Sequence, residues 1–397
     1  MNRLSNRITS LSESQTIAMS QKSRELKAQG VDVISLSLGE PDFNPPAHVL
    51  EAAKNAIDGD FNHYPPVPGY LDLREAISSK FMEQNGLHYS ADQIVVSTGA
   101  KQSIANLVLS LVNPGDEVII LSPYWVSYKA LVQLAEADVK YVLSDITNDF
   151  KVTPEQLDGA ITDKTKLIMF SSPSNPTGGS YTAKDMAGLA SVIGKHKHVV
   201  AMADEIYEHI TFEGEHVSLA SFPEVENQVV TVNGVSKAYA MTGWRIGYIG
   251  APLDIAKACA KMQGQFTSGA NSIAQRAAIA ALSTSKEELN NQRDVFRSRR
   301  DLVVSLFTEV NGFETNVPSG AFYLFPKVDG VFGKSSNGWK INSSADLCNY
   351  LLEVAHVAAV PGEAFGAPGY IRLSYAAAES ELKEAARRIK EAVNALS

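Results

Sequence analysis

The chain predicts an α/β protein: a mostly parallel sheet between helices, joined to a second, smaller α+β domain. Three observations carry this. Five short apolar runs rich in β-branched residues, QIVVS, EVIILS, TKLIMFSS, HVVAMAD and QVVTVNG, occur between Gln93 and Gly234. Uninterrupted runs of this kind suit strands buried on both faces of a parallel sheet. Segments with helical periodicity alternate with them. The texture then changes near residue 285, where a long charged helix, KEELNNQRDVFRSRRDLVVSLFTEV, leads into strand-like AFYLFP and YIRLSYA and a final helix. The boundaries follow: residues 46–285 for the large domain, and residues 1–45 with 286–397 for the small one.

Taken in order, VLEAAKNAI and LDLREAISSKFMEQNG have helical spacing, and QSIANLVLSLV begins a helix directly after Gly99. Thr153-Pro154 places a cap residue before a proline at the first helical position. Thr182 and Asp185 form a capping-box pattern at the next helix start. Cys259 and Cys348 fall in amphipathic patterns, LDIAKACAKM and SADLCNYLLEVA, which read as core packing and not as a disulfide framework. The stretch PKVDGVFGKSSNGWKINSS is rich in Gly, Ser and Asn and reads as an exposed loop. There is no internal repeat.

Hydrophobic residues make up 45% of the 397 positions and charged residues 20%, so a large core can be buried. The net charge of −9 argues against a nucleic-acid partner, which needs a basic footprint. The N-terminus lacks the apolar core of a signal peptide, and no apolar run reaches the ~20 residues that cross a bilayer. The expected setting is cytoplasmic, without a membrane partner. His196 and His198 have no third ligand at a zinc-like spacing, so no metal is expected. There is no Walker A or GxGxxG element.

The most informative string is SKAYAMTGWRIGY, Ser236 to Tyr248. Lys237 follows a strand-like run, and Arg245 stands eight residues later. A lysine amine attacks an aldehyde when its neighbours depress its pKa, and an arginine fork suits a phosphate. The string resembles the signature of class I/II aminotransferases, enzymes of fold type I that use pyridoxal 5'-phosphate. The resemblance implies a seven-stranded, mostly parallel sheet, a Schiff base on Lys237 and a phosphate held by Arg245.

Other strand ends extend the resemblance, consistent with ligands collecting beyond the carboxyl ends of such sheets. After QIVVS come Gly99, Ala100 and Lys101, a turn that opens a helix and offers free amides to a phosphate. After EVIILS comes Trp125, which in the family stacks on the pyridine ring; taken alone it reads as a core aromatic. SNPTG follows TKLIMFSS, and its Asn175 corresponds to the donor to the cofactor's phenolic oxygen. Asp204 ends HVVAMAD; alone it reads as a helix cap, whereas the resemblance pairs it with the ring nitrogen and Tyr207 with the phenolic oxygen. Ser236 adds a phosphate contact. Outside the sheet, Gly39 in LSLGEPDF leaves room for backbone to approach a substrate carboxylate. Tyr64 corresponds to a tyrosine that reaches the phosphate of a neighbouring subunit, which implies a homodimer. Arg372 in YIRLSYA corresponds to the bidentate clamp on the α-carboxylate.

The chemistry implied is transamination in two half-reactions. Lys237 moves the proton, Asp204 and Tyr207 tune the cofactor, and amino acids and 2-oxo acids are the small-molecule partners. The longest matches are to bacterial subgroup Ib aspartate aminotransferases, in which residues at the places of Lys101 and Thr16 help bind the distal carboxylate of aspartate or glutamate. Two departures matter. Ser12 stands where prephenate-using enzymes carry a basic residue. Gly234 stands where many relatives have a phosphate-binding serine, three places before the lysine. Other readings stay open at this point: an aminotransferase for aromatic amino acids, kynurenine or alanine, a C–S β-lyase, or a non-catalytic pyridoxal-phosphate-sensing domain.

Overall fold

A computed structural model describes residues 3–336 and 338–397. Its centre is a seven-stranded sheet. In chain order the strands are β1 (Ile94–Thr98), β2 (Glu117–Ser122), β3 (Asp138–Leu143), β4 (Thr165–Ser171), β5 (Val200–Asp204), β6 (Val229–Gly234) and β7 (Ile246–Gly250). Their spatial order is β1-β7-β6-β5-β4-β2-β3. All neighbours are parallel except those of β7, which runs antiparallel to both β1 and β6.

The strands are apolar on both faces because both faces are covered. Val118 and Ile120 of β2 pack into a core shared with the helices Ala100–Leu111 and Leu253–Phe266. The alternate residues Ile119 and Leu121 pack with Met186, Leu189 and Ile193 of the helix Ala183–Lys195. That helix starts on the capping box at Thr182, whose hydroxyl accepts from the Asp185 amide at 3.2 Å. Thr153 caps Pro154–Asp158 in the same way. Cys259 and Cys348 are buried free thiols in their helices.

A further core joins the two ends of the chain. Met19, Val33, Ile34 and Leu36 pack with Phe296, Phe307, Leu373 and Ile389, and Ile34–Ser35 pairs in parallel with Val357–Ala358. Ile206, Tyr207 and Ile210, just beyond β5, reach into this core. Asp204 therefore ends a strand at one side of the cleft while Tyr207 is packed against the other.

Two strands of the central sheet were not anticipated from their own residues. β3, DVKYVL, is the sheet edge and is half polar. β7, IGYIG, has two glycines, and in a strand glycine reads as a break. The stretch read as an exposed loop is also different. Val328, Val331 and Ile341 are buried, and a short hairpin pairs Ser335–Ser336 with Trp339–Lys340. Ser335 and Ser397 exchange backbone hydrogen bonds of 2.9 and 3.0 Å, so the segment is tied to the C-terminus. Single apolar anchors among Gly and Ser do not register as a periodic pattern. Position 337 lies outside the described residues.

Candidate active site

β1, β2, β4, β5 and β6 end at one edge of the sheet. Because β7 is antiparallel, its first residues begin at that same edge: Ile246 pairs with Thr98, and Gly247 with Gly234. Arg245, immediately before β7, is thus delivered to the place where the other strands end. A cleft of about 240 Å³ opens there, floored by Asp204, Lys237 and Asn175 and walled by Trp125, Arg245 and Arg372.

At one end stand Arg245 and the helix Ala100–Leu111. Arg245 has a left-handed backbone, φ 58°, uncommon for a residue with a side chain, and its Nη1 donates to Thr242 O at 2.8 Å. A β-carbon on Gly99, itself at φ 79°, would overlap the Arg245 guanidinium, and one on Gly247 would overlap the Ala100 amide nitrogen. Both glycines are required for this approach. The first intrahelical bond runs from Gln102 N to Gly99 O at 3.0 Å, which leaves the Ala100 and Lys101 amides ahead of it as unmatched helix donors. Among the described residues Arg245 has no acidic partner. Guanidinium, helix N-terminus and the buried Ser236 beside them make a receptor for a phosphate. Gly234 contributes no hydroxyl because a side chain there would press on Ile246 O and Gly247 Cα.

In the middle, Asp204 is 5% exposed. It accepts from Tyr128 Oη at 2.9 Å and from the Ile206 amide at 3.3 Å. Burial pushes its carboxyl up to about 6, against the opposing pull of these donors. Asn175 Oδ1 accepts from Arg372 Nη1 at 2.8 Å, so its Nδ2 remains as a donor. Tyr207 and Tyr323 share a hydrogen bond of 2.7 Å, and burial together with Tyr323 raises the Tyr207 phenol well above its usual value, which keeps it a donor. Trp125 packs edge-on against Tyr128, 5.6 Å between centroids.

Lys237 Nζ donates to Gly39 O at 2.6 Å and lies 5.8 Å from the Tyr207 ring centre. Burial lowers its pKa to about 8, with Arg372 and Arg245 adding to the shift against the pull of Glu40. A lysine in this condition supplies neutral amine near physiological pH.

At the other end Arg372 is 2% exposed. Its Nη2 donates to Ser37 O at 2.6 Å, the Tyr323 and Phe365 rings flank it at 4.6 and 5.0 Å, and its Nε has no partner among the described residues. A buried guanidinium without a carboxylate is costly unless an anion completes it. Gly39 faces it across Tyr323, whose hydroxyl a β-carbon on Gly39 would overlap. Thr16 lines the same cleft, with a buried hydroxyl that has no partner among the described residues. Lys101 lies 5.1 Å from the Trp125 ring centre, its pKa lowered by burial and by Arg245.

Every residue assigned to the site from the sequence lines the cleft or abuts it except Tyr64, which is 95% exposed. Ser12 is exposed and outside the cleft. Sequence reasoning missed Tyr128, Tyr323 and Thr242; only SPYWVSY, one turn after Trp125, could have pointed to the first. His196 and His198 bond instead to Asp158 (3.1 Å) and Thr162 O (3.1 Å). No helix among the described residues is long and apolar enough to cross a membrane.

These groups fit pyridoxal phosphate: an anion receptor, a carboxylate without a cation for a ring nitrogen, two donors for a phenolic oxygen and an amine for an aldehyde. Comparison with known proteins agrees. Residues 31–389 match the family described as aminotransferase class I and II. The chain is 44% identical to an aspartate aminotransferase of Rhizobium meliloti, covering 98% of this chain and 96% of that one. It is 46% identical to a bifunctional aspartate aminotransferase and glutamate/aspartate-prephenate aminotransferase of Petunia hybrida, covering 98% of this chain and 82% of the relative. A crystal structure of the aspartate aminotransferase from Rhizobium meliloti superposes with a TM-score of 0.96 at 44% identity over the whole of both chains. The Thermus thermophilus aspartate aminotransferase with maleate gives 0.93 at 39%, over 99% of this chain and all of that one. The chain belongs to the class I and II aminotransferases, which depend on pyridoxal phosphate.

Proposed function

We propose that the protein transfers the amino group of L-aspartate to 2-oxoglutarate, giving oxaloacetate and glutamate in two half-reactions. The observation that carries the reading is Arg372, a buried guanidinium without an acid, set across the cleft from Lys237 and Asp204. It supports a substrate with an α-carboxylate. Lys101 and Thr16 lie on the same cleft and support a second, distal carboxylate. The relatives' names agree with an aspartate substrate.

Bound pyridoxal phosphate supplies an aldehyde and a ring that accepts electrons. The residues do the rest. Arg245, the Ala100 and Lys101 amides and Ser236 would hold the phosphate, and Trp125 would pack against the ring. Asp204 would hold a proton at the ring nitrogen, since a buried carboxylate needs a cation to offset its desolvation. Tyr207 Oη and Asn175 Nδ2 would donate to the phenolic oxygen. Lys237, released from Gly39 O, would be the amine for the aldehyde, and its Nζ would move the proton from the substrate Cα. Arg372 would clamp the α-carboxylate and so orient the substrate towards Nζ.

We also read residues 46–285 as a large domain and residues 1–45 with 286–397 as a small one, closing on the cleft between them. Tyr64 is read as completing the site of a second copy in a homodimer. Its near-complete exposure supports this. The setting is read as cytoplasmic. A second reading, prephenate as an additional substrate, is favoured by relatives named aspartate/prephenate aminotransferases at 46% identity. Ser12, exposed and uncharged, weighs against it.

The test is to mix the purified protein with L-aspartate and 2-oxoglutarate, follow oxaloacetate and record the absorbance spectrum. A near-visible cofactor band with rapid oxaloacetate formation is expected. A band without turnover would move the search to aromatic amino acids, alanine, prephenate and cysteine conjugates. No band after adding pyridoxal phosphate would overturn the reading.

A further inference from the structure

The turn after β5 has two faces. Asp204 and Tyr207, three apart, face the cleft. Glu205 and Glu208, also three apart, face away from it into a buried cluster of charges that the reaction does not use. Glu205 is fully buried and Glu208 is 7% exposed. Glu208 is ion-paired to Lys80, itself 3% exposed, at the end of the helix Leu71–Lys80. It also accepts from Asn85 Nδ2 and from Asn233 Nδ2, both at 2.7 Å. Glu205 accepts from His216 Nε2 at 3.0 Å and from Ser218 Oγ at 2.7 Å. His209 Nε2 lies 3.4 Å from Glu208.

Glu205, Glu208 and His216 lie close enough together to suggest a cation site. The surroundings argue otherwise. Lys80 already occupies the place of the cation on Glu208. Glu205 raises the His216 pKa against the pull of burial. Glu208 has Lys80, and Glu205 has His216 and Ser218, so both carboxylates are already partnered without a metal. Burial pushes the Glu208 carboxyl up, but Lys80 and the histidines outweigh it and hold it well below the usual range.

What the cluster does is mechanical. Asn233 sits on β6, four residues before Lys237, and its Oδ1 accepts from Gly234 N at 2.7 Å. Glu205 N donates to Val232 O at 2.9 Å. One carboxylate therefore ties together the turn that carries Asp204 and Tyr207, the strand end that leads to Lys237, and the helix behind both. We propose that Glu208, clamped by Lys80, Asn85 and Asn233, is the positioning residue that sets Asp204 and Tyr207 against Lys237. This rests on the reading of the site given above. The physical reason is tolerance: a misplacement of about 1 Å at reacting groups lowers rates by ~10²-fold, and a buried ionic network resists such movement.

The test compares wild-type holoenzyme with Glu208→Gln and with the double variant Lys80→Met/Glu208→Met, which removes both charges together and so avoids an unpaired one. Three readouts are taken: the pH midpoint of the near-visible cofactor band, the Kd of the cofactor-free protein for pyridoxal phosphate, and kcat and KM for L-aspartate. Circular dichroism and thermal unfolding check the fold. Expected are a midpoint moved by about one pH unit, a Kd raised about tenfold, and kcat lowered at least tenfold with KM changed less than threefold. A folded double variant with the wild-type midpoint, Kd and kcat would overturn the proposal and leave the cluster a stabilising element only. So would failure of the double variant to fold, which would assign the cluster to the stability of the domain. The wild-type measurement keeps the two claims apart, because its band and turnover test the site while the variants test Glu208.

Discussion

Asp204 and Glu208 are buried carboxylates four residues apart on one turn, and their surroundings are opposite. Glu208 has a lysine, two asparagines and a nearby histidine, and stays ionised well below the usual range. Asp204 has one tyrosine and one amide but no ion pair, and its carboxyl is pushed up to about 6. The buried arginines divide the same way: Arg299 meets Asp42 with both Nη atoms, at 2.7 and 2.8 Å. Arg300 meets Glu213 at 3.1 Å, Asp301 at 2.8 Å and Pro318 O at 3.0 Å. Arg372 meets only neutral oxygens and keeps a bare Nε. A charge that serves the scaffold is completed by the scaffold. A charge that serves a ligand is left short of a partner. That shortfall marks the cleft better than its size does.

The comparison can be broken at several points. Replacing Lys237 by Ala removes the amine on which the incomplete face converges, so the near-visible band and all turnover should vanish; a retained band with turnover would refute its assignment. Asp204→Asn should cost about 3–5 kcal/mol of catalysis, the scale of breaking a buried pair, seen as a fall in kcat. A wild-type kcat would mean the ring nitrogen needs no carboxylate. Arg372→Ala should raise KM for every amino acid by ~10- to 150-fold, the equivalent of about 1.5–3 kcal/mol for a charged hydrogen bond. An unchanged KM would take it out of the site.

Two smaller effects sharpen the contrast. Asp204 has a pKa raised from 3.8 to about 6 in the cofactor-free fold. A raised pKa stabilises the fold below the unfolded value and loses that contribution as pH rises through the folded one. Thermal unfolding of cofactor-free protein should therefore show stability falling between about pH 4 and 6, and Asp204→Asn should flatten that slope. A slope unchanged in the variant would assign it to other groups. Last, Lys101→Ala should slow aspartate more than alanine by only a few-fold, about 1 kcal/mol, because Lys101 stands at the rim of the cleft, where its surface is still open to solvent screening although the cleft wall partly desolvates it. Equal losses on kcat/KM for both substrates would mean that it does not read the distal carboxylate.

Much of this was legible along the chain, for a local reason. The apolar runs from β1 to β6 show in their own residues, apart from β3, because burial on both faces demands uninterrupted hydrophobicity. Gly99, Asn175, Asp204 and Lys237 stand at strand ends, where a pattern of strand then turn already marks the edge of a sheet. The family resemblance added Arg245, Arg372, Gly39 and Thr16 by their order. Other features were not legible. β7 hides behind Gly247 and Gly250, whose lack of side chains is needed by Ala100 and Tyr89 across the strand. The segment around residue 335 reads as a loop because its anchors, Val331 and Ile341, are too sparse for a period.

The sequence by itself determined the class of sheet, the edge at which the cleft opens and the lysine proposed to react there, since each depends on residues near one another in the chain. The tertiary structure decided which charges are satisfied and which are not. Tyr128 reaches Asp204 across 76 positions, Tyr323 reaches Tyr207 across 116, and Lys80 reaches Glu208 across 128. Whether a buried carboxylate is completed or left open depends on such distant partners, and no local pattern carries that information. Only the folded chain turns Glu208 into scaffold and leaves Asp204, four residues away, waiting for a cation.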